Sequence, residues 1–355
     1  MKHLLNITDL SVAEIDGLIA VAGDIGENPE KYREKCKGKI LATLFFEPST
    51  RTRLSFEAAM LSLGGAVIGF SDGKNSSASK GESVADTATV VSGYADIIAM
   101  RHPKEGAPFV AARHAAVPVI NAGDGGHYHP TQTLADLATI CFEKGRLDHL
   151  TIGVCGDLKY GRTVHSLIEA AARYPGIEFV LISPKELALP GFVTDGVLRE
   201  KRIPYRETRA LEDCIGELDV LYMTRIQQER FSDDREYERL KDSYILTGEK
   251  MRAAKPDACI LHPLPRVCEI ATEVDKDPRA AYFRQTVNGK LMRMALILKL
   301  LDEQKAEPAD GKTTVISDDK CRNPHCITTT ERTLEKLVYI DRQGKRKCAY
   351  CDAEI

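Results

Sequence analysis

The sequence predicts an α/β protein of two tandem domains with parallel sheets covered by helices, plus a small C-terminal zinc-binding domain. Short apolar segments alternate with helix-like segments along most of the 355 residues, and this alternation is typical of parallel sheets with helices on both faces. Four cysteines in two closely spaced pairs then end the chain. The eight strand-like segments would also fit one wide sheet, but two domains of about 140 residues agree better with usual domain sizes.

The composition excludes several classes of function. Hydrophobic residues make up 43% of the chain, which is ample for cores, and a net charge of −3 gives no general attraction to nucleic acid or anionic lipid. No apolar run approaches the roughly 18 residues of a membrane span. The N-terminus also turns polar too early for a signal peptide. We therefore expect a cytoplasmic protein with no nucleic acid and no membrane partner.

The elements can be placed in order along the chain. Residues 1–36 are predicted to be helical, since Thr8 or Ser11 can cap an amphipathic run. The candidate strands are short apolar segments, and they are 40–46, 66–70, 96–100, 117–121, 151–155, 178–182, 219–223 and 258–261. The predicted helices among and after them are 51–63, 83–94, 131–144, 162–173, 233–241 and 288–304.

These elements group into domains with a predicted break near Gly145–Leu150, after a long helix. The segment before the cysteine pairs is polar and contains Pro308 and Gly311, as linkers do. The expected parts are a first domain 1–145 completed by helix 288–304, a second domain 146–287, a linker 305–319 and a zinc-binding domain 320–355.

Polar residues that follow the strands indicate where a ligand binds, because ligands of open parallel sheets lie beyond the carboxyl ends of the strands. Three hydroxyl residues and two arginines, Ser49 to Arg53, follow the first strand and begin a helix. Helix N-termini of this kind bind anions, phosphate above all. Four arginines follow strands and together require anionic ligands, and they are Arg51, Arg101, Arg162 and Arg225. Motifs for dinucleotides or ATP are absent from the sequence.

These residue types suit a phosphorylated substrate that carries a carbonyl group. Arg101, His129 and Thr52 are candidate donors to an oxygen that becomes negative during reaction. No nucleophile elbow or catalytic triad accompanies them. We expect His102 to be structural and His127 to be exposed in a loop.

Two segments resemble the signatures of the carbamoyltransferases. Ser49-Thr50-Arg51-Thr52-Arg53 with Ser55-Phe56-Glu57 resembles the carbamoyl phosphate signature, and His129-Pro130-Thr131-Gln132-Thr133-Leu134-Ala135-Asp136 resembles the second. Aspartate and ornithine carbamoyltransferases share both signatures, so these indicate the carbamoyl donor only. The resemblance covers about residues 1–305.

The acceptor is indicated by three other segments that resemble aspartate carbamoyltransferases. They are Lys80-Gly81-Glu82, residues 223–230 and His262-Pro263-Leu264-Pro265-Arg266. Ornithine enzymes usually have cysteine where Pro263 stands. The charges of the candidate site also favour aspartate as the acceptor, because its two carboxylates match the cations Lys80, Arg162 and Arg225.

The resemblance implies carbamoyl transfer from carbamoyl phosphate to L-aspartate in pyrimidine biosynthesis, with no cofactor required for the chemistry. The implied catalytic residues are Thr52, Lys80, Arg101 and His129, while Arg53 is expected to be structural. The implied carbamoyl phosphate contacts are Ser49, Thr50, Arg51, Thr52, Arg101, His129, Gln132, Leu264 and Pro265. Those to aspartate are Lys80, Arg162, Thr163, Arg225 and Gln227.

The resemblance also implies a homotrimer or a higher homo-oligomer. In such an assembly the polar loop Ser76–Lys80 reaches into the site of a neighbouring subunit. Ser76, Ser77 and Ser79 are the open choices for the serine that contacts substrate there, and we favour Ser77 together with Lys80.

The tail carries Cys321-x4-Cys326 and Cys348-x2-Cys351. Paired cysteines at this spacing favour a four-thiolate structural zinc site over unrelated cysteines or two disulfides. A domain of about 35 residues also buries too little core to fold without such help. His325 could compete as a ligand, but four cysteines complete the zinc coordination shell.

The tail resembles the zinc domain of the aspartate carbamoyltransferase regulatory chain, through Cys321–Ile327 and Lys347–Cys351. A short linker stands here in place of the nucleotide-binding domain of that chain, which argues against control by ATP or CTP in this chain alone. The zinc domain is instead expected to join catalytic chains or to dock a separate regulatory chain.

Two alternatives stay open at this point. The chain could be a carbamoyltransferase for ornithine or a related acceptor. It could also be an inactive subunit whose zinc domain binds nucleic acid or a partner, although the complete set of candidate site residues argues against that.

Overall fold

We analysed a computed structural model that describes residues 3–226, 244–303, 313–341 and 343–355. The chain forms two compact units. The first consists of Met1–Thr131 and Lys290–Ile355, and the second of Gln132–Gly289. Among the described residues, no helix combines the length and the apolar character that crossing a membrane requires.

The first unit is built on a four-stranded parallel sheet in the order β2-β1-β3-β4. The strands are β1 (Ile40–Phe45), β2 (Ala66–Phe70), β3 (Ile97–His102) and β4 (Val119–Asp124). Strand β1 is central and almost wholly buried, whereas β2 lies at the edge and is largely exposed. Strands buried on both faces are continuous apolar runs, which is why the sequence predicted β1 within one residue.

Four helices of the first unit precede or connect these strands. They are α1 (Val12–Glu27), α2 (Thr50–Ser62), α3 (Val84–Val91) and α4 (Ala107–His114). Helix α1 begins after Ser11, whose side chain accepts from the Glu14 N–H while Glu14 accepts from the Ser11 N–H. Helix α4 was not predicted. It is short, and its buried Val110 and Ala111 belong to the same core as Ile98.

The second unit contains a five-stranded parallel sheet in the order β7-β6-β5-β8-β9. The strands are β5 (Thr151–Cys155), β6 (Glu178–Ile182), β7 (Tyr205–Thr208), β8 (Val220–Met223) and β9 (Cys259–Leu261). The helices are α5 (Pro130–Lys144), α6 (Arg162–Ala171), α7 (Gly191–Val193), α8 (Gly248–Met251) and α9 (Tyr282–Asp302). The division between the two units falls within α5 and α9.

The two parallel sheets confirm the predicted fold class, with two further differences in detail besides α4. Strand β7 was missed because Tyr205–Thr208 is a partly exposed edge strand without an apolar run. Helix α9 begins at Tyr282, earlier than the predicted 288. The predicted helix 233–241 lies outside the described residues. A domain boundary after residue 145 stays a prediction.

The tail forms a small antiparallel sheet of β10 (Val315–Ile316), β11 (Leu337–Ile340) and β12 (Arg346–Cys348). Within the first unit, the tail packs on the part of the chain that contains β1 to β4. The Glu105 N–H donates to the His325 carbonyl, and the Ile327 N–H donates to the Glu105 carbonyl, both at 2.9 Å. The ring of Tyr350 stacks edge-on against Phe109 with centroids 5.6 Å apart. The tail therefore has an intrachain docking surface, which was not among the expectations from sequence.

Candidate functional site

The start of helix α2, which the sequence predicted to bind an anion, follows β1. Ser49 occupies the N-cap of α2, and the first backbone hydrogen bond of the helix runs from the Arg53 N–H to the Ser49 carbonyl at 3.1 Å. Within the described part of the chain, the Ser49 side chain makes no capping hydrogen bond. The first N–H groups of a helix lack acceptors inside it and carry the positive end of its dipole. Ser49, Thr50, Arg51 and Thr52 thus form a set of donors suited to phosphate.

Two guanidinium groups add positive charge near this helix start. Burial and the nearby charge of Arg101 lower the pKa of Arg51. Arg101 is the penultimate residue of β3 and pairs with Phe45 of β1, and its Nη2 lies 2.6 Å from Oε1 of Glu47. The charge of Arg51 beside that of Arg101 favours a bound anion, because Glu47 offsets only one of the two positive charges.

Arg53 has a different environment from Arg51. Its Nε lies 2.7 Å from Oε1 of Glu57 one turn along α2. The hydroxyl of Thr43 on β1 donates to the same carboxylate oxygen at 3.2 Å. These contacts fix α2 against the sheet and agree with the structural role expected of Arg53.

His129 directly precedes α5 and is 5% exposed. Its Nδ1 lies 3.5 Å from the Thr131 hydroxyl. The loop before it is organised by buried Asp124, which accepts from the Gly106 N–H at 2.9 Å and from the Tyr128 N–H at 3.0 Å. His129 is therefore carried by a loop with fixed backbone geometry.

His127 is a correction to the sequence analysis, which expected an exposed loop residue. Its side chain is only 14% exposed and lies between two carboxylates, 3.2 Å from Asp124 and 3.3 Å from Asp352. Burial opposes the charged form, but the two carboxylates outweigh it and raise the pKa of His127 to about 10. His127 is thus a buried cation that connects the loop before α5 to the tail.

Replacement of His127 by glutamine is expected to lower the free energy of unfolding by about 3–5 kcal/mol near pH 6, because it leaves buried carboxylates unpaired. A histidine whose pKa rises on folding stabilises fully below its unfolded value of about 6.5. That contribution is lost as the pH rises through about 10. Urea unfolding at pH 6, 8 and 10 measures the difference.

His149→Gln is the matched control, because the His149 side chain is 71% exposed. The free energy of unfolding of His149→Gln should stay close to that of the unchanged protein at every pH. An equal loss for His127→Gln at pH 6 and pH 10 would contradict the assignment of a buried cation.

The loop predicted to reach a neighbouring subunit is exposed and ends in a helical turn, Ser77–Lys80. The Ser76 hydroxyl donates to the Gly73 carbonyl at 2.8 Å, and the Ser79 hydroxyl donates to the Ser76 carbonyl at 2.7 Å. Both hydroxyls are thus engaged inside the loop. Ser77 and Lys80 are exposed, and Ser77 stays the predicted contact.

Three of the residues predicted to bind aspartate follow adjacent strands of the second unit, whereas Lys80 lies in the loop after β2 of the first unit. Arg162 and Thr163 begin α6 after β5, and Arg225 follows β8, the direct neighbour of β5. The Thr224 hydroxyl accepts from the Asp157 N–H at 2.9 Å and so joins the two strand ends. Gln227 lies outside the described residues.

Gln132 and Leu264 belong to the same unit and have buried partners. The Gln132 Nε2 donates to Oδ1 of Asp136 at 2.7 Å, and the Leu264 N–H donates to Nδ1 of His262 at 2.7 Å. Leu264 has a φ of 53°, a rare value for a residue with a side chain. Pro265 is exposed.

The four tail cysteines come together in a cluster that can hold a metal ion. All four Sγ atoms lie within 4.8 Å of one another. The separations are 3.5 Å for Cys321–Cys351 and 3.9 Å for Cys326–Cys348. Thiolates at 2.3 Å from a tetrahedral metal would be about 3.8 Å apart. The predicted ligand set is thus assembled, and His325 is exposed and outside the cluster.

Comparison with known proteins finds family models and relatives that match most of the chain. The family model "Aspartate/ornithine carbamoyltransferase, carbamoyl-P binding domain" matches residues 2–141, and "Aspartate/ornithine carbamoyltransferase, Asp/Orn binding domain" matches residues 148–300. The aspartate carbamoyltransferase catalytic subunit of Lachnoclostridium phytofermentans is 62% identical over 302 residues, which cover 85% of this chain and 98% of that protein.

The chain belongs to the aspartate carbamoyltransferase family.

Solved structures of aspartate carbamoyltransferases share the fold. The catalytic subunit of M. jannaschii aspartate transcarbamoylase superimposes with a TM-score of 0.81 at 48% identity, covering 86% of this chain and all of that one. The aspartate transcarbamoylase of Trypanosoma cruzi in complex with carbamoyl aspartate and phosphate gives a TM-score of 0.77 at 40% identity. This match covers 84% of this chain and 95% of that one. Residues 316–355 match "Aspartate carbamoyltransferase regulatory chain, metal binding domain".

In this aspartate carbamoyltransferase family member, the sequence analysis missed the buried polar residues behind the predicted contacts. Asp136 was quoted only as the end of a signature, and Gln285 and Tyr222 were not considered. Only Asp136 has a local signal in the sequence, because it lies four residues after Gln132 and so shares a helix face with it. The other partners come from distant β8 and α9.

Proposed function

We propose that the chain transfers the carbamoyl group of carbamoyl phosphate to L-aspartate, giving N-carbamoyl-L-aspartate and phosphate, for pyrimidine biosynthesis. The observation that carries the proposal is the start of α2, where helix N–H groups and hydroxyls stand near the guanidinium groups of Arg51 and Arg101 and so offer donors to an anion. A phosphate ester is the ligand class that such a site binds best.

The donor is bound by a set of residues with complementary chemistry. Ser49, Thr50, Arg51 and Thr52 hold the phosphate, and Thr52, Arg101 and His129 donate to the carbonyl oxygen as it becomes negative. Gln132 and the carbonyls of Leu264 and Pro265 accept from the carbamoyl amino group. Each contact pairs a donor with an acceptor, as a buried polar ligand requires.

The acceptor is bound by cations. Arg162 and Arg225 pair with the aspartate carboxylates, assisted by Thr163, Gln227 and Lys80. The deprotonated amine of aspartate attacks the carbamoyl carbon, and the departing phosphate can take the proton. Catalysis consists of positioning and charge stabilisation, without a covalent enzyme intermediate or a cofactor.

We also propose that the cysteine cluster holds Zn²⁺, because a closed four-thiolate shell is typical of structural zinc. Bound there, the metal stabilises the tail and supplies no chemistry to the reaction. The working assembly is a homotrimer or a higher homo-oligomer in the cytoplasm, where thiols stay reduced. Ser77 and Lys80 complete a neighbouring subunit's site, and a separate regulatory chain is a further candidate partner.

Parallel assays with aspartate and ornithine test the proposed acceptor. We expect carbamoyl transfer to aspartate with kcat/KM at least about 10⁴-fold above that for ornithine, since ornithine would leave arginines unpaired and its own amine without an anion. A mock preparation from cells that lack this chain gives the background from contaminating enzymes. Activity with ornithine alone would overturn the acceptor assignment, and activity with neither would favour an inactive subunit that acts through its tail.

A further inference from the structure

A buried carboxylate in the second unit accepts hydrogen bonds from three side chains. Asp136 is fully buried one turn after Gln132 on α5. Its Oδ1 accepts from Nε2 of Gln132 at 2.7 Å and from Nε2 of Gln285 at 2.6 Å. Its Oδ2 accepts from the Tyr222 hydroxyl at 3.0 Å. Three donors directed at one carboxyl group fit an ionised carboxylate, which accepts and never donates.

Gln285 extends this network to the segment that contains Leu264. The Gln285 Oε1 accepts from the His262 N–H at 3.1 Å, and Nδ1 of His262 accepts from the Leu264 N–H at 2.7 Å. Because Nδ1 accepts, the ring proton is on Nε2, which lies 2.8 Å from Oε1 of Glu269. Gln285 and His262 are 2% and 1% exposed. One buried chain of hydrogen bonds thus joins Gln132 to Leu264.

The carboxylate determines which end of the Gln132 amide is available to a ligand. Only an NH2 group can face a carboxylate, so the amide nitrogen of Gln132 is engaged by Asp136. The carbonyl Oε1 is the atom directed away from that bond, and Gln132 itself is only partly buried. With Asp136 removed, the amide could rotate and present its NH2 end instead. A ligand amino group would then meet a donor where it needs an acceptor.

We propose that Asp136 and Gln285 are positioning residues that make the site specific for a hydrogen-bond donor on the transferred group. They hold the Gln132 carbonyl, and through His262 the Leu264 segment, as acceptors for the amino group of carbamoyl phosphate. This inference rests on the proposed function, in which Gln132 contacts that amino group. Acetyl phosphate has the same shape with a methyl group there, and the fixed acceptors reject it.

A double-mutant cycle of Gln132→Ala and Asp136→Ala tests the inference. The assay measures kcat and KM for carbamoyl phosphate, together with the inhibition constant of acetyl phosphate. Gln132→Ala is expected to raise the KM and to lower the preference for carbamoyl phosphate, each by about tenfold for one lost hydrogen bond. Asp136→Ala should have a similar effect alone and little further effect in the double variant, since the two residues act as a unit.

Thr139→Val is the matched control, because Thr139 is a buried polar residue of the same helix that donates to the Ala135 carbonyl instead of Asp136. It should lower stability without altering the preference between the two phosphates. Asp136→Asn is the second variant, because its Oδ1 can still accept from both amides. It is expected to keep the preference within about twofold.

The outcomes separate the inference from the proposed function. Additive effects of Gln132→Ala and Asp136→Ala would overturn the positioning role and leave the enzyme assignment intact. Loss of the preference for carbamoyl phosphate in folded Asp136→Asn or Thr139→Val protein would overturn the positioning role in the same way. If Gln132→Ala leaves the carbamoyl phosphate kinetics unchanged in an active enzyme, the Gln132 contact itself is wrong, and the inference is overturned with it.

Discussion

Replacement of Arg51 by alanine is expected to lower kcat by about 10²- to 10³-fold, the loss typical when one donor to developing negative charge is removed. Arg51 begins α2 near Arg101, and burial together with that neighbouring charge lowers its pKa. An anion bound beside Arg51 would offset both effects, and the phosphate leaving group gains charge as its bond to the carbamoyl carbon breaks. Steady-state kinetics with carbamoyl phosphate and aspartate measure the fall in kcat directly. Calorimetry with inorganic phosphate measures how much Arg51 contributes to phosphate affinity.

Two further substitutions show whether the effect belongs to Arg51. Arg51→Lys keeps the charge but lacks the forked geometry that binds phosphate through two hydrogen bonds, so it should recover only part of the activity. Arg33→Ala removes an arginine that is 72% exposed and should leave kcat unchanged. An Arg51→Ala enzyme with normal kcat and normal phosphate affinity would exclude this helix start as the phosphate site.

The parts of the fold that were predictable are those that a local pattern determines. Strand β5 is buried along nearly its whole length, so its apolar run gave its bounds without error. Because the strands are parallel, their following residues lie at the same edge of each sheet. That geometry is the basis for predicting that Arg51 lies near Arg101 at one sheet and Arg162 near Arg225 at the other.

The parts that were not predictable depend on partners far away in the sequence. His127 is buried because Asp352, in the tail, lies 3.3 Å from it, and no feature of its own loop indicates that contact. The role of Asp136 likewise depends on Gln285 and Tyr222 from other elements. Strand β7 depends on its pairing with β6, because its own residues lack an apolar pattern.

The docking of the tail is the clearest case of a tertiary contact that spacing could not reveal. Glu105 forms a backbone bridge with Cys326, and its carboxylate accepts from the Asn323 amide at 2.5 Å. A side chain at Gly106 would have its Cβ 2.5 Å from the Tyr350 carbonyl, and the φ of 85° also favours glycine. Cys326, Cys348 and Cys351 are buried in a core shared with residues of α3 and α4. The cysteine cluster and the docking surface are thus parts of one folded structure.

Replacement of Cys348 by serine is therefore expected to unfold the tail and release it from the rest of the first unit. The loss is large, because the binding free energy of structural zinc is about 10–16 kcal/mol and drives the folding of small metal domains. Bound metal should be absent from the variant. Hydrogen exchange should lose protection at the Glu105 and Ile327 amides, which donate across the docking surface, while β5 in the second unit stays protected.

Removal of metal from the unchanged protein by a chelator should reproduce this exchange pattern, and added zinc should reverse it. Cys268→Ser is the matched control, because Cys268 is exposed and outside the cluster, so metal content and exchange should stay unchanged. Full protection of Glu105 and Ile327 in metal-free protein would mean that the tail docks through its apolar contacts alone. Exchange at these two amides, which connect the tail to the rest of the first unit, thereby measures how much of the docking depends on thiolate ligation. The remainder depends on apolar packing such as that of Tyr350 on Phe109.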